Sequence, residues 1–302
     1  MTPAPARRTP RDADLGLRQI GNASGLSVSL LPNGCPFSIE HQRDRDRIML
    51  NQVLGSPVDG GIFRLYLRVG GARPFIAQAV GPRARVRCGA AADRFVWDGE
   101  TDGVSHRVTL WLHPQTNLWL WHVEVTNRRD LDLPCDAILV QDIGLGGRGF
   151  LMNNEAYVSQ YIDHHIAEHA RCGPVIMSRQ NQAQGGRYPW IVHGCLDGTA
   201  GFATDAMQIF GPAYRDAAEI DHAFGVDLPS RRLQHEVACA ALQSKATVLK
   251  PGATLAQRFF GLYDPDHPEA SSDSDLAKVD AVQNAIRDFA PRQVELHQPA
   301  RS

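Results

Sequence analysis

Histidine and glutamate side chains are concentrated in HHIAEH, residues 164–169, where they could bind a metal ion. His165, Glu168 and His169 fit the H-x-x-E-H pattern of one class of zinc peptidases. That chemistry needs both imidazoles on one face of a helix and further ligands that converge on the same point. The β-branched and aromatic neighbours favour a strand instead. We therefore expect hydrogen-bonded or solvated histidines, and we predict no metal and no cofactor.

A second group of residues has side chains suited to sugars. Gln180 and Asn181 carry amides that both donate and accept hydrogen bonds, as a hydroxyl-rich ligand requires. Tyr188 and Trp190 offer aromatic faces with a polar group at the edge of the ring. The predicted sugar-contacting residues are Tyr157, Tyr161, His164, His165, Gln180, Asn181, Arg187, Tyr188 and Trp190. A structural role is the alternative, because Trp190 also begins an apolar run.

Two short segments could take part in binding an anion. Residues 144–149, GLGGRG, are rich in glycine, and residues 43–47, RDRDR, alternate in charge. Phosphate sites use glycine-rich helix starts or basic clusters. The first segment lacks a following helical pattern, and the second is typical of a solvated loop. Neither segment predicts a phosphate site by itself, and no catalytic residue is predicted.

The elements that must position these residues are mainly β-strands. Every second residue is apolar in HRVTLWLH, residues 106–113, and in LWLWHVEV, residues 118–125, where Trp119 and Trp121 share a face. Residues 113–117, from the last residue of the first run to the start of the second, predict a hairpin loop. Similar short runs, separated by turn residues, continue along the chain. They indicate an all-β sandwich or barrel.

The C-terminal part has a different pattern. A polar linker, residues 263–274, is followed by apolar residues at steps of three and four over residues 275–290. That spacing predicts an amphipathic helix, with Ser274 or Asp275 as its N-cap. Its apolar stripe needs a surface against which to pack, either the chain's own sandwich or another protein. The stripe consists of Leu276, Val279, Val282, Ile286 and Phe289.

Composition limits the classes of partner. The 302 residues are 43% apolar and 21% charged, with a net charge of −2. This is typical of a globular protein, and it provides no basic field for nucleic acid. No apolar run approaches the roughly 20 residues that span a membrane, and no secretory signal opens the sequence. The six scattered cysteines predict reduced thiols in a cytoplasmic protein, with disulfides as the alternative.

Four separated segments resemble one known family. They are residues 29–69, 125–145, 153–166 and 175–198, in the order in which the family has them. They are similar to the N-terminal β-sandwich of family-94 glycoside phosphorylases, also called the glycosyltransferase-36 type. The resemblance is strongest to the 1,2-β-oligoglucan phosphorylases, and cyclic β-1,2-glucan synthases carry a related module. It extends over about residues 20 to 290.

This resemblance implies a large antiparallel supersandwich of the galactose-mutarotase type with a C-terminal linker helix. The expected organisation is a disordered tail over 1–14, the supersandwich over 15–262, the linker over 263–274, the helix over 275–290 and a second tail over 291–302. In the family, catalysis takes place in an (α/α)6 barrel, where an aspartic acid protonates the glycosidic oxygen while phosphate attacks the anomeric carbon. The sequence stops before such a barrel, so the chain is not expected to be active alone.

The implied function is that of a non-catalytic module that binds a β-glucan oligosaccharide. The expected glucan is β-1,2-linked. Its expected protein partner is a catalytic barrel or a second copy of the chain, because the helical stripe would otherwise lack its native surface. The alternative is an enzyme like the aldose epimerases, which share the supersandwich. There His164, His165 or His193 would act with Glu236 as acid and base.

Overall fold

Antiparallel β-sheets make up most of the protein in a computed structural model that describes residues 17–43, 46–52, 63–154, 157–211, 224–234 and 237–300. The strands are β1 (Arg18–Gly21), β2 (Leu26–Leu30), β3 (Pro36–Arg43), β4 (Asp46–Met49), β5 (Arg64–Val69), β6 (Phe75–Val80), β7 (Val86–Ala90), β8 (Arg94–Thr101), β9 (Val104–Leu112), β10 (Leu118–Asn127), β11 (Leu133–Asp142), β12 (Gly146–Gly147), β13 (Ile162–His169), β14 (Gly173–Gln180), β15 (Trp190–Cys195), β16 (Thr199–Asp205), β17 (Ala238–Ser244), β18 (Thr247–Leu249) and β19 (Thr254–Asp264). The predicted all-β supersandwich with a C-terminal helix is confirmed.

Three sheets enclose the main core. Eight strands form the largest sheet in the order β13-β14-β15-β19-β10-β9-β8-β7. A six-stranded sheet has the order β16-β17-β11-β5-β6, with β18 also pairing β11, and a five-stranded sheet has the order β1-β2-β3-β4-β12. One buried apolar cluster draws residues from all three sheets.

The alternation in β9 and β10 confirms the sequence prediction. The two strands pair in antiparallel register, with Trp119 opposite Leu112, around the predicted hairpin. Trp119 and Trp121 are fully buried in the main core, whereas Leu118 and Leu120 belong to a second cluster on the outer face of the sheet. Because side chains of a strand alternate between faces, one strand supplies both layers of packing.

The helices of the described ranges are short. They are α1 (Arg148–Asn153), α2 (Met207–Phe210) and α3 (Leu276–Ala285), with 3-10 turns at 158–161, 273–275 and 286–288. The turn that leads into α3 begins with a capping box, in which the Asp275 carboxylate accepts the backbone N–H of Ser272 at 2.9 Å. Asp275, one of the two predicted N-cap residues, directly precedes α3.

The segment 267–300, called here the C-terminal strap, covers the outer face of the eight-stranded sheet. Val279 and Val282 of α3 are buried in the outer cluster, and Ile286 and Phe289 pack against it. Of the two surfaces that the sequence left open for the stripe, the structure shows the chain's own sandwich, and the expectation that its native surface is missing is wrong. In the sandwich the stripe joins one buried cluster with Trp111, Leu120, Trp190 and Phe260, and the Phe289 ring packs edge-on against Trp111. Burying each such aliphatic side chain contributes about 1.5–3 kcal/mol.

The strap runs from one edge strand of this sheet to the other. At β13, His165 Nε2 lies 2.9 Å from the Asp273 carboxylate. At β7, the backbones of Cys88 and His297 exchange two hydrogen bonds of 2.9 Å. Glycine is required at position 89, since a Cβ there would lie 2.1 Å from the carbonyl oxygen of Glu295. The strap thus pairs with the free edge of β7.

All six cysteines are free and buried. Among the described residues, no helix has the length and hydropathy needed to cross a membrane.

Candidate functional site

The HHIAEH segment is the edge strand β13, so its histidines do not have helical geometry. His165 and His169 lie on the face that the strap covers, and Glu168 lies on the opposite face. His169 Nδ1 accepts the backbone N–H of Cys172 at 3.1 Å, which leaves the proton on Nε2, 3.1 Å from the Asp280 carboxylate. The two imidazoles fasten the strap to the sheet. Within the described ranges, no group of three or more His, Cys, Asp and Glu residues could hold a metal ion.

We expect the protein purified without an affinity tag to contain no stoichiometric metal, and EDTA to leave its Tm unchanged. His169→Ala should lower the free energy of unfolding by about 1–3 kcal/mol, because buried donors and acceptors lose their partner. Elemental analysis measures the metal content, and urea denaturation measures the loss of stability in His169→Ala. The exposed Glu168→Ala variant is the matched control on the same strand. A bound metal lost on mutation of either residue would contradict this role.

Two of the predicted sugar residues lie inside the protein. His164 is fully buried, and its Nδ1 lies 2.9 Å from the Ser178 hydroxyl. Gln180 is also fully buried, and its side-chain oxygen accepts the backbone N–H of Gln182 at 3.0 Å. The nearby His193 packs edge-on against Trp119, with ring centroids 5.7 Å apart. These groups are parts of the interior rather than of a surface.

The epimerase alternative requires a carboxylate beside one of these histidines. Burial, together with the neighbouring His164, lowers the pKa of His193 to about 3. An imidazole with this pKa stays neutral at pH 7 and is a poor general acid. Glu236, its predicted partner, lies outside the described residues.

The strap covers two more of the predicted sugar-contacting residues, Trp190 and His165. Trp190 is fully buried, and its ring stacks on His267 with centroids 5.1 Å apart and an interplanar angle of 13°. The indole N–H donates to the Ser271 hydroxyl at 2.9 Å. His165 is held by the strap as described above. Trp190 and His165 thus fasten the C-terminal segment.

The other predicted residues remain accessible at the end of the eight-stranded sheet. Tyr157 is 56% exposed, and Asn181 is exposed in the loop after β14. The Asn181 backbone N–H donates to the Tyr161 carbonyl at 2.8 Å. Arg179 donates to the Asn181 side-chain oxygen at 2.7 Å, and its guanidinium lies 4.3 Å from the centre of the Tyr188 ring. We call Tyr161, Asn181 and Tyr188, joined in this way, the loop patch.

Arg179 gives the loop patch a rigid base. Its guanidinium also donates to the carbonyl oxygens of His267 and Pro268, at 2.8 and 2.7 Å. The Tyr188 carbonyl accepts the His267 N–H at 2.8 Å. The beginning of the strap therefore fixes the tyrosine and amide before any ligand is present. The nine predicted residues do not form one surface, but these three share a support.

A cleft beside the loop patch was not predicted from the sequence. It has a volume of about 210 Å³ and lies between the β3–β4 hairpin, β12 and the loop at 184–189. The Gly147 N–H donates to the Gln184 side-chain oxygen at 3.2 Å across it. Both segments that were set aside as phosphate candidates contribute to its wall, and Arg187 joins them. The charged and aromatic residues of the lining are His41, Arg43, Asp46, Arg47, Arg187 and Tyr263.

The cleft carries an excess of positive charge. Arg47 is paired with Glu40, with Nε 3.3 Å from the carboxylate. Burial lowers the pKa of His41, and the positive charges of Arg43 and Arg187 lower it further. His41 Nε2 lies 3.0 Å from the Ser24 carbonyl oxygen, so the neutral ring donates there. The positive charges of Arg43 and Arg187 therefore both act on the His41 ring.

Comparison with known proteins identifies the sandwich. Residues 29–261 match the family described as the SOGP N-terminal domain. The chain belongs to this family. A 1,2-beta-oligoglucan phosphorylase of Listeria innocua serovar 6a is 32% identical to the SOGP N-terminal domain described here over 262 residues. The match covers 84% of this chain and 22% of that protein, so the chain spans about a fifth of the length of its relative. The resemblance predicted from sequence is confirmed.

Solved structures are similar to this SOGP N-terminal domain in fold alone. A bacterial glucoamylase complexed with acarbose has a TM-score of 0.51 and 8% identity, covering 88% of this chain and 34% of that one. A putative aldose 1-epimerase of Escherichia coli K12 has a TM-score of 0.41 and 11% identity, covering 82% of this chain and 98% of that one. The family match itself includes the loop patch and most of the cleft, and it ends before Tyr263 and the strap.

Proposed function

We propose that this SOGP N-terminal domain is a non-catalytic carbohydrate-binding module of a β-glucan phosphorylase of the glycosyltransferase-36 type. Its proposed ligand is a β-1,2-glucan oligosaccharide, its proposed partner is a catalytic (α/α)6 barrel, and its proposed location is the cytoplasm. The observation that carries the proposal is the match of residues 29–261 to the N-terminal domain family. The name of the related phosphorylase supports the choice of β-1,2-linkage.

The loop patch is the proposed sugar contact. The Tyr188 ring offers an apolar face of the kind that packs against sugar C–H groups, and its orientation is held by Arg179 beneath it. Asn181 lies beside it with an amide that can donate to and accept from hydroxyl groups. Because both side chains are positioned in the free protein, little conformational entropy is lost on binding.

Carboxylates near the loop patch support a role in binding rather than in cleavage. Inverting cleavage requires a carboxylic acid that can donate its proton to the glycosidic oxygen. Asp266 accepts the Tyr188 backbone N–H at 3.1 Å, and Asp264 forms an ion pair of 2.7 Å with Lys278. Both carboxylates thus act as hydrogen-bond acceptors that fix the loop and the strap. Self-association through the helix is not part of the proposal, because its stripe is buried.

We expect the chain to bind β-1,2-gluco-oligosaccharides without cleaving them. Tyr188→Ala should weaken binding about tenfold, since the aromatic face supplies roughly 1–2 kcal/mol. Isothermal titration calorimetry measures the binding, and an assay for glucose 1-phosphate in phosphate buffer measures cleavage. Phe75→Ala, at a 45%-exposed aromatic residue of β6, is the matched control. Release of glucose 1-phosphate above a no-protein blank, or equal binding by both variants, would refute the proposal.

A further inference from the structure

We propose that the cleft between the β3–β4 hairpin, β12 and the loop at 184–189 binds a phosphate-type oxyanion, either free or carried on a sugar. This inference does not depend on glucan binding by the loop patch. It assigns a ligand to a group of side chains that come from distant parts of the sequence, of which Arg43 and Arg187 have no side-chain partner in the described ranges.

The first support is the unbalanced charge. The lining contains three arginines and one aspartate, although the chain as a whole has a net charge of −2. Glu40 forms an ion pair with one of these arginines, Arg47. Within the described part of the chain, the guanidiniums of Arg43 and Arg187 have no ion pair or side-chain hydrogen bond. Guanidinium groups are suited to oxyanions because their planar donors match two oxygen atoms at once.

The second support is the floor of the cleft. Tyr263 is 3% exposed, and its ring packs 5.0 Å from the His41 ring. Its hydroxyl has no hydrogen-bond partner among the described residues. Leaving a buried hydroxyl without a partner is costly, so such groups usually have a role. Burial and the nearby carboxylate of Asp264 raise the pKa of Tyr263, which keeps the hydroxyl protonated and able to donate to an anion.

The size of the cleft limits the ligand. Its volume of about 210 Å³ is below the roughly 300–1,000 Å³ of pockets that bind drug-sized molecules. A single oxyanion or a monosaccharide phosphate therefore fits better than an oligosaccharide. Asp46 lies on the rim, where its carboxylate would repel one oxygen of an anion but could accept a hydroxyl group of an attached sugar.

The test is titration of the intact chain with inorganic phosphate, sulfate, glucose 1-phosphate and glucose at constant ionic strength, followed by calorimetry. We expect saturable binding of the three anions and none of glucose in this cleft. Tighter binding of glucose 1-phosphate would assign the site to a sugar phosphate, and equal binding would assign it to a free oxyanion. Saturation by none of the anions would overturn the proposal.

Variants locate the site. The double variant Arg43→Gln/Arg187→Gln should weaken anion binding by about tenfold to a hundredfold, the loss expected when charged donors are removed. Arg73→Gln/Arg85→Gln removes the same charge at two exposed positions on other loops and should have no effect. Because Arg43 and Arg187 have no side-chain partners in the described ranges, their variants should keep the wild-type Tm. Equal affinities of the two double variants would refute the assignment.

A second measurement separates this proposal from the proposed function. The NMR signals of the His41 ring should shift on addition of phosphate, because a bound anion offsets the field of the two arginines. Tyr188→Ala should leave this shift intact while weakening glucan binding. An unchanged His41 signal at saturating phosphate would show that any anion bound elsewhere.

Discussion

Lowering the pH from 7 to 4.5 should remove several kcal/mol from the free energy of unfolding, and two buried histidines should account for much of the loss. Burial lowers the pKa of His193 to about 3 and that of His106 to about 4. None of their four ring nitrogens has a hydrogen-bond partner among the described residues. Both rings face the main core, so protonation would place an uncompensated charge there.

The fall in the free energy of unfolding at low pH follows from the number of protons that each state binds. In the unfolded chain both histidines titrate near 6.5, whereas in the folded chain they remain neutral down to about pH 4. Below pH 6.5 the unfolded state therefore binds more protons than the folded state, and stability falls with pH. Each such histidine costs about 1.4 kcal/mol per pH unit until its folded pKa is reached.

Urea denaturation at intervals between pH 7.5 and 4.5 measures this slope. His193→Gln, which cannot titrate, should reduce the slope by about 1.4 kcal/mol per pH unit. His297→Gln, at a half-exposed ring on the strap, should leave the slope unchanged. If the two variants show the same dependence on pH as the wild type, burial of His193 does not control acid stability.

Val282→Asp should destabilise the protein by about 3–5 kcal/mol, the largest effect that we expect of any single substitution. Val282 is 2% exposed between α3 and the outer face of the sheet. The variant loses this apolar contact and places a carboxylate where water cannot reach it. Ala281→Asp, one residue earlier on the exposed side of α3, should cost only about 0.5–1 kcal/mol.

Truncation after Pro268 extends the same test. Without α3, Trp190 and the apolar residues around it become exposed, so tryptophan fluorescence should shift to longer wavelength. Light scattering should detect association, because large apolar patches attract one another. A truncated chain as stable and as monomeric as the full chain, together with equal effects of Val282→Asp and Ala281→Asp, would exclude a structural role for the strap.

Local sequence patterns predicted the elements but not their arrangement. The alternation around Trp119 and Trp121 specifies strands and their buried face, since strand periodicity is a local property. The helix over 276–285 follows in the same way from the spacing of Val279 and Val282. Which surface the helix covers depends on tertiary contacts. That surface includes Trp190, whose aromatic face was therefore predicted for sugar and is used for packing.

The cleft also could not be predicted from local sequence patterns. Arg43 and Gly147 lie in two segments whose sequences are typical of loops, and Arg187 lies in a third segment, among the predicted sugar contacts. They meet because β12 pairs with β4 at the edge of the five-stranded sheet, and because the Gln184 side chain bridges the next loop. The periodicity of a single segment carries no information about its contacts with distant segments. A pairing signal between distant positions would have been required to find it.

The strap also sets the order of events during synthesis. One edge of β7 pairs with β8, but its outer edge at Cys88 has no partner until His297, roughly 210 residues later, has been synthesised. At 5–20 residues per second, a ribosome takes about 10 to 40 s to cover this distance. Until then β7 and the apolar face beside it are open to other chains. We expect the nascent sandwich to depend on holding chaperones until the residues around His297 emerge from the ribosome.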